Sequence, residues 1–390
     1  MSALWILFKC LPYVLFVLTM LMFVLRCRFG VRGQAIWSMV LLTCFSKFLV
    51  YSELGGDAIV PWMPEGVIWF WNWGYSGACI LFLLGALTFF CRFPRKGLLL
   101  PILAWGLAAL GIWNGLKVPS VREVEFTYAD LPESLDGYRI VQVSDIHAST
   151  AARRWRTEAI VRRVNEQKPD LICLTGDMTD VGPARHWRYL EPLKDLRAHD
   201  GVWAVAGNHE LGHEFDAWLK WYELWGVHFL RNRCAVPCPG LVLGGVDDVV
   251  FDGRDELPPV NPHVGAAFAS ATNGEFRVLL QHRPSGALEN AANNGVRLQL
   301  SGHTHGGLFP GMSAIIKAWN RGYVKGAYDL PLQGRLYVSP GVGQWAGFPI
   351  RFFDDPEITV ITLSPTAPPA GFTALRVSCP VPSSGLHPGE

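Results

Sequence analysis

Charge is what this chain has least of: 17% of its 390 residues are Asp, Glu, Lys or Arg, where a typical soluble domain has about 25%. The shortage is concentrated. Residues 1–117 hold nine Lys/Arg and three Asp/Glu, and the remainder hold 25 and 30, so a net charge of +1 hides a +6 segment joined to a −5 segment. This disfavours a wholly water-soluble protein. The acidic second part also argues against a nucleic-acid partner held through a broad basic surface. No small-residue cleavage site follows a short apolar core near the N-terminus, which disfavours a removed signal peptide. Internal repeats are absent too. Cysteines number nine, but only Cys234 and Cys238 form a close pair outside the apolar region. No second pair follows at ligand spacing, so a thiolate zinc cage is not indicated. A turn between those two would permit a disulfide; one straight strand would hold them too far apart.

Long apolar runs are what the first part has instead. They fall at about 3–25, 34–52, 67–91 and 98–116, each near the ~20 residues that cross a bilayer core. This predicts a helical region of four transmembrane spans over 1–117, with the lipid bilayer as a partner. The loops orient it. Arg26, Arg28 and Arg32 lie in the first, and Arg92, Arg95 and Lys96 in the third, without an acid in either. The second holds Glu53, Asp57 and Glu65 and no basic residue. By the positive-inside rule the basic loops are cytoplasmic. Everything after Lys117 is then expected outside a cytoplasmic membrane. Lys9 and Lys47 lie within runs and are read as snorkelling stems.

From Tyr138 the pattern changes to short β-rich runs. Strands are predicted at Tyr138–Val143, Leu171–Leu174, Val202–Val205, Leu241–Val246, Phe276–Gln281 and Val296–Leu300. Thr157–Gln167 reads as an amphipathic helix, and Phe215, Trp218, Trp221, Tyr222 and Trp225 as one packed helix face. Val121–Thr127 alternates as an edge strand would. Strands alternating with helices predict an α/β core over 118–363. Residues 364–390 hold six prolines and are expected to be a disordered tail.

The ends of these strands carry the chemistry. The first runs into Asp145-x-His147, the second into Gly176-Asp177-x-x-Asp180, and the third into Gly207-Asn208-His209-Glu210. The fifth ends at His282 and the sixth at Gly302-His303-x-His305. Ligands of open α/β sheets bind outside the carboxyl ends of strands. Oxygen and imidazole donors suit Mn, Fe, Zn, Ni or Co. Seven donors exceed one ion and fit two that share a carboxylate, the arrangement that activates a water against a phosphoryl group. Asp247 and Asp248 follow a strand and are assigned to a turn. The long segment from Leu308 to Arg335, with Trp319, Tyr323 and Tyr328, is a candidate lid.

Taken together, these motifs resemble the calcineurin-like metallophosphoesterase superfamily over about Tyr138–Leu363. Gly302-His303-Thr-His305-Gly-Gly307, Tyr337-Val-Ser-Pro-Gly341 and Pro349-Ile-Arg-Phe352 are most similar to its bacterial membrane-anchored subgroup. The resemblance implies a four-layer αββα sandwich with two divalent metal ions. It puts Asp145, His147 and His305 on one ion, Asn208, His282 and His303 on the other, and Asp177 between them. His209 would be the catalytic acid and Asp180 a supporting hydrogen-bond partner. Ala148 stands where the family usually has Leu, and Leu308 where the subgroup often has Gln. The implied function is hydrolysis of a phosphate ester by metal-activated hydroxide, with phosphodiesters, pyrophosphates and lipid-linked esters as candidate substrates. The competing reading is a membrane receptor or transporter whose outer metal-binding domain is non-catalytic.

Overall fold

The computed structural model describes residues 3–25, 29–90, 98–149, 154–249, 262–272, 274–308, 311–345, 347–352 and 354–365. The expected tail lies outside these from residue 366 onward.

The apolar first part is helical: α1 (Ala3–Thr19), α2 (Val31–Phe45), α3 (Lys47–Gly55), α4 (Glu65–Phe90) and α5 (Leu99–Leu116). The four-span expectation is met only in part. Among the described residues two helices are long and apolar enough to cross a bilayer, Glu65–Thr88 and Leu99–Leu116. A third counts if α2 and α3, bent by 54°, are one broken span. The first run gives a shorter apolar helix over Cys10–Val24, ending in a π-helical turn at Met20–Val24. The second run breaks at Ser46, which leaves helical geometry and turns its hydroxyl onto the Thr43 carbonyl.

That break redirects Lys47. Its ammonium is fully buried and donates to the Gly347 carbonyl at 3.0 Å. The rings of Phe48, Tyr51 and Tyr75 surround it at 4.9, 5.3 and 5.3 Å, within cation–π reach. Lys47 therefore does not snorkel; it ties a helix to a loop of the second part. The Lys9 side chain lies outside the described residues.

The second part is built on two six-stranded mixed sheets. Its strands are β1 (Ser120–Thr127), β2 (Arg139–Val143), β3 (Leu171–Leu174), β4 (Val202–Ala204), β5 (Val227–Phe229), β6 (Arg233–Cys238), β7 (Leu241–Gly245), β8 (Phe276–Leu280), β9 (Leu298–Ser301), β10 (Gly326–Asp329), β11 (Arg335–Val338) and β12 (Glu357–Ser364). The first sheet is ordered β1-β12-β2-β3-β4-β5 and the second β10-β11-β9-β8-β7-β6. Leu171, Cys173, Leu243, Val278, Leu300 and Ile361 fill the space between them. Outside the first sheet pack α6 (Arg154–Glu166), α7 (Pro183–Leu190), α8 (Asn208–Gly212) and α9 (Phe215–Leu224). Outside the second pack α10 (Val264–Ala267) and α11 (Ala287–Asn294). The result is four layers, αββα. One further helix, α12 (Met312–Trp319), follows the last motif.

The predicted α9 face is buried at Phe215, Trp218, Tyr222 and Trp225. Val121–Thr127 does pair at an edge, parallel to β12, whose last residue is the Ser364 assigned to the tail. Cys234 and Cys238 share β6 across a bulge, and both are free thiols.

The end of α5 is built into this second part. Arg351 donates its backbone N–H to the Gly111 carbonyl at 3.0 Å, and the Gln344 amide donates to Ile112 at 2.9 Å. Arg156 of α6, itself 2% exposed, reaches the carbonyls of Gly115 (3.0 Å), Lys117 (3.3 Å) and Val342. A cation on the last carbonyls of a helix satisfies groups with no partner of their own and meets the negative end of its dipole.

Candidate metal centre

β2, β3 and β4 run parallel in one sheet, and β8 and β9 run parallel in the other. Parallel pairing puts all five carboxyl ends at one edge. The loops leaving them turn sharply. Asp145, His147, Asp177, His303 and His305 all have positive φ, between 48° and 69°. Glycines give them room: a Cβ on Gly176 would meet the backbone of Gly207 at 2.6 Å.

Two histidines are anchored from behind. His147 Nδ1 lies 2.5 Å from Asp180 Oδ1, and His282 Nδ1 lies 2.7 Å from the Thr175 carbonyl. Each acceptor takes the Nδ1 proton and leaves the Nε2 lone pair facing forward. His147 Nε2 faces His305 Nε2 at 3.0 Å, and Asp145 Oδ1 stands 3.9 and 3.6 Å from these two atoms. His282 Nε2 faces His303 Nδ1 at 3.2 Å and Asp177 Oδ2 at 3.1 Å. The same Asp177 oxygen is 3.9 Å from His147 Nε2. Three sets of donor atoms thus lie within 4.8 Å of one another: Asp145, His147 and His305; His147, Asp177 and His209; and Asp177, His282 and His303. Lone pairs converging with carboxylates in a buried place form a site that divalent cations fit.

His209 also stands within reach, 4.0 Å from Asp177 Oδ2 through Nε2. Its Nδ1 lies 2.8 Å from Asp180 Oδ1, so a single carboxylate oxygen holds both His147 and His209. Burial pulls the His209 pKa down, but Asp177 and Asp180 outweigh it and raise it to about 9. Burial pushes the Asp177 carboxyl up, and the surrounding His282, His209 and His147 bring it well below the usual range. Burial and neighbouring positive charge keep His303 and His305 well below an ordinary histidine, neutral and able to donate a lone pair.

The eight acidic and histidine residues singled out in the sequence gather here, and Asn208 joins them at the start of α8. Its Oδ1 accepts from Arg283 Nη2 at 3.3 Å.

Glu210, Arg283, Asp247, Asp248 and Arg351 were not assigned these roles from sequence. Glu210, fully buried, accepts from the backbone N–H groups of Asp177 (2.9 Å), Gly207 (2.8 Å), Thr179 (3.3 Å) and Met178. It fastens the β3 and β4 loops together. Arg283 is held by both Asp248 oxygens at 2.9 Å. Asp247 pairs likewise with Arg231, so these two acids orient arginines rather than shape a turn. Arg351 is buried with Nη2 3.4 Å from His305 Nδ1. The sequence signals were slight: Arg283 adjoins a ligand-type histidine, and the acidic pair follows a strand.

The candidate lid divides. Tyr323 and Tyr328 are each 6% exposed and stack edge-on in a local core. Trp319 stays 78% exposed. Phe348 packs against Tyr75 among the helices.

Comparison with known proteins agrees with this geometry. The family described as calcineurin-like phosphoesterase matches residues 138–307. A transmembrane protein with metallophosphoesterase domain from Danio rerio is 33% identical over 69% of this chain and 63% of its own length. An uncharacterized metallophosphoesterase of Bacillus subtilis is 33% identical over 60% of this chain and 82% of its own. One from Helicobacter pylori is 29% identical over 76% and 77%. Among solved structures, a 5'-nucleotidase precursor from Thermus thermophilus aligns at TM-score 0.34 and 16% identity, covering 58% of this chain and 55% of that one.

Proposed function

Because this chain belongs to the calcineurin-like metallophosphoesterase family, we propose that it is a membrane-anchored dimetal hydrolase of phosphate esters. Its substrate bond is a phosphodiester or pyrophosphate, and its catalytic domain lies outside the cytoplasmic membrane. The observation that carries this is Asp177 Oδ2, which faces His282 Nε2 at 3.1 Å and His147 Nε2 at 3.9 Å. That is the position of a carboxylate shared by two ions.

Asp145, His147 and His305 would hold one cation, and Asn208, His282 and His303 would hold the other. Divalent cations of the Mn, Fe, Zn, Ni or Co class supply Lewis acidity toward phosphoryl oxygens and an activated water when bound. The remaining work belongs to the chain. His209, with its side chain 18% exposed and Nδ1 fixed by Asp180, presents Nε2 to the cleft and protonates the departing oxygen. Arg283, oriented by Asp248, adds positive charge beside Asn208.

The extracytoplasmic placement is supported by the loop between α3 and α4. Its Val60 and Trp62 contact Val181 and His186 of the catalytic domain. The acidic loop and the domain therefore share one side.

The test uses the full chain in detergent, stripped with a chelator and reloaded with Mn. Hydrolysis of an aryl phosphodiester or of an organic pyrophosphate is expected to vanish and return. Full metal occupancy with no turnover of any phosphate ester overturns the reading and favours a non-catalytic metal-binding domain.

A further inference from the structure

The helix α12 follows the metal loop, and part of its apolar face is left open: Met312 and Ile316 are half-buried, Ile315 and Trp319 exposed. Met312, Ile315, Ile316 and Trp319 recur at i, i+3, i+4 and i+7, a single stripe that a globular helix buries. No residue of α12 is buried; Trp319 is 78% and Ile315 46% exposed. Ser313, which lies off that stripe, packs against Gly307 of the metal loop.

The other side of the same loop is fastened to a span. Phe352 donates its N–H to the Leu308 carbonyl at 2.9 Å, and its ring with Ile350 lies against Gly111 of α5. Phe348, Ile350 and Phe352 belong to the apolar cluster of the helices, not to the core of the sandwich. Gly111 precedes the end of α5 by five residues, about 7.5 Å at the rise of a helix. The metal loop therefore meets α5 about a turn and a half from its end, and α12 begins four residues after Leu308. A partly open apolar stripe so close along the chain to a loop fastened on a bilayer-length helix fits the headgroup and acyl boundary of that bilayer.

We propose that α12 is an interfacial helix seated in the leaflet beside the catalytic domain, and that the phosphate ester entering the metal cleft is lipid-borne. The second clause rests on the hydrolase reading above; the first stands without it.

Both clauses are tested on the full chain in phosphatidylethanolamine and phosphatidylglycerol vesicles. The fluorescence difference between wild type and Trp319→Phe isolates Trp319. Quenching of that difference by brominated acyl chains is expected; quenching by aqueous iodide alone overturns the interfacial helix. Next, long- and short-chain homologues of one phosphodiester are compared. The long-chain form should be preferred about tenfold in kcat/KM, the scale of one buried aromatic side chain. Trp319→Glu should erase that preference while leaving the short-chain rate unchanged. Equal rates on both homologues in wild type, or equal loss on both in the variant, overturns the lipid-borne substrate. Turnover of neither homologue by protein that hydrolyses the soluble aryl ester or pyrophosphate overturns the lipid-borne substrate; no turnover of any phosphate ester sinks the hydrolase reading itself, and the quenching result still decides the helix.

Discussion

Side chains reach this centre through backbone that ordinary residues avoid. Asp145, His147, Asp177, His303 and His305 all lie at positive φ, at about 1–2 kcal/mol each. Such strain persists where surrounding bonds over-determine it, and Glu210 is one such restraint. Glu210→Gln places an NH₂ against backbone donors. It should destabilise the protein by about 2–3 kcal/mol, the range for lost hydrogen bonds to a charged group, read as a lowered Tm. Asp177→Ala should cost both metal sites, because its oxygen faces donors of each. His209→Ala should keep both metals and lower kcat by about 10²–10⁴, the usual contribution of a general acid. Metal analysis beside kinetics on the two purified variants separates them; equal metal loss in both would make His209 a ligand. Asp180→Asn removes the charge that holds both His147 and His209. It should weaken metal binding about 10–100-fold, as loss of a partner behind a ligand does, and titration with Mn measures this.

At the scale of elements, α5 is long and apolar enough to cross a bilayer and is also built into the two-sheet domain. A Cβ on Gly111 would meet the Phe352 ring at 2.8 Å and Ile350 at 3.1 Å, whereas one on Gly106 would meet nothing within 4 Å. Gly111→Leu should therefore push the 348–352 loop off α5, with an overpacking penalty of about 1–3 kcal/mol. Because Arg351 in that loop backs His305, metal affinity should fall along with Tm. Gly106→Leu on the same helix should change neither. Loss in both variants would mean that the span itself, not its junction with the loop, is what matters. The break at Ser46 serves the same junction from α3, since it delivers Lys47 to Gly347.

For the whole molecule, the question is which side of the bilayer carries the sandwich. The acidic loop touches it through Val60 and Trp62, the side on which the charge bias of the loops in the sequence expects it. A reporter active only outside the cytoplasmic membrane should work when fused after Glu390 and stay silent when fused after Arg95. The C-terminal site is preferable to one near Leu363, which lies within β12. The reverse pattern would turn the domain inward and remove the outer leaflet as a source of substrate.

The sequence by itself determined the strand-end motifs, because a buried parallel strand is a continuous apolar run and its polar end is visible without any partner. Thus the donors from Asp145 to His305 could be read in order, and so could the buried face of α9. Strands β5, β10 and β12 were not read from the sequence, since no polar strand-end motif marks them as it marks the short β3 and β4. Only the tertiary structure decided which distant residues meet. Arg283 finds Asp248 35 positions away, Lys47 finds Gly347 300 positions away, and Glu210 closes two loops at once. No local pattern encodes these pairings, because they depend on sheet order and on how the helices dock. The same limit applies to the aromatics after the last motif. Tyr323 and Tyr328 went into a core and Trp319 stayed outside, since spacing marks a face as apolar and packing alone selects what covers it.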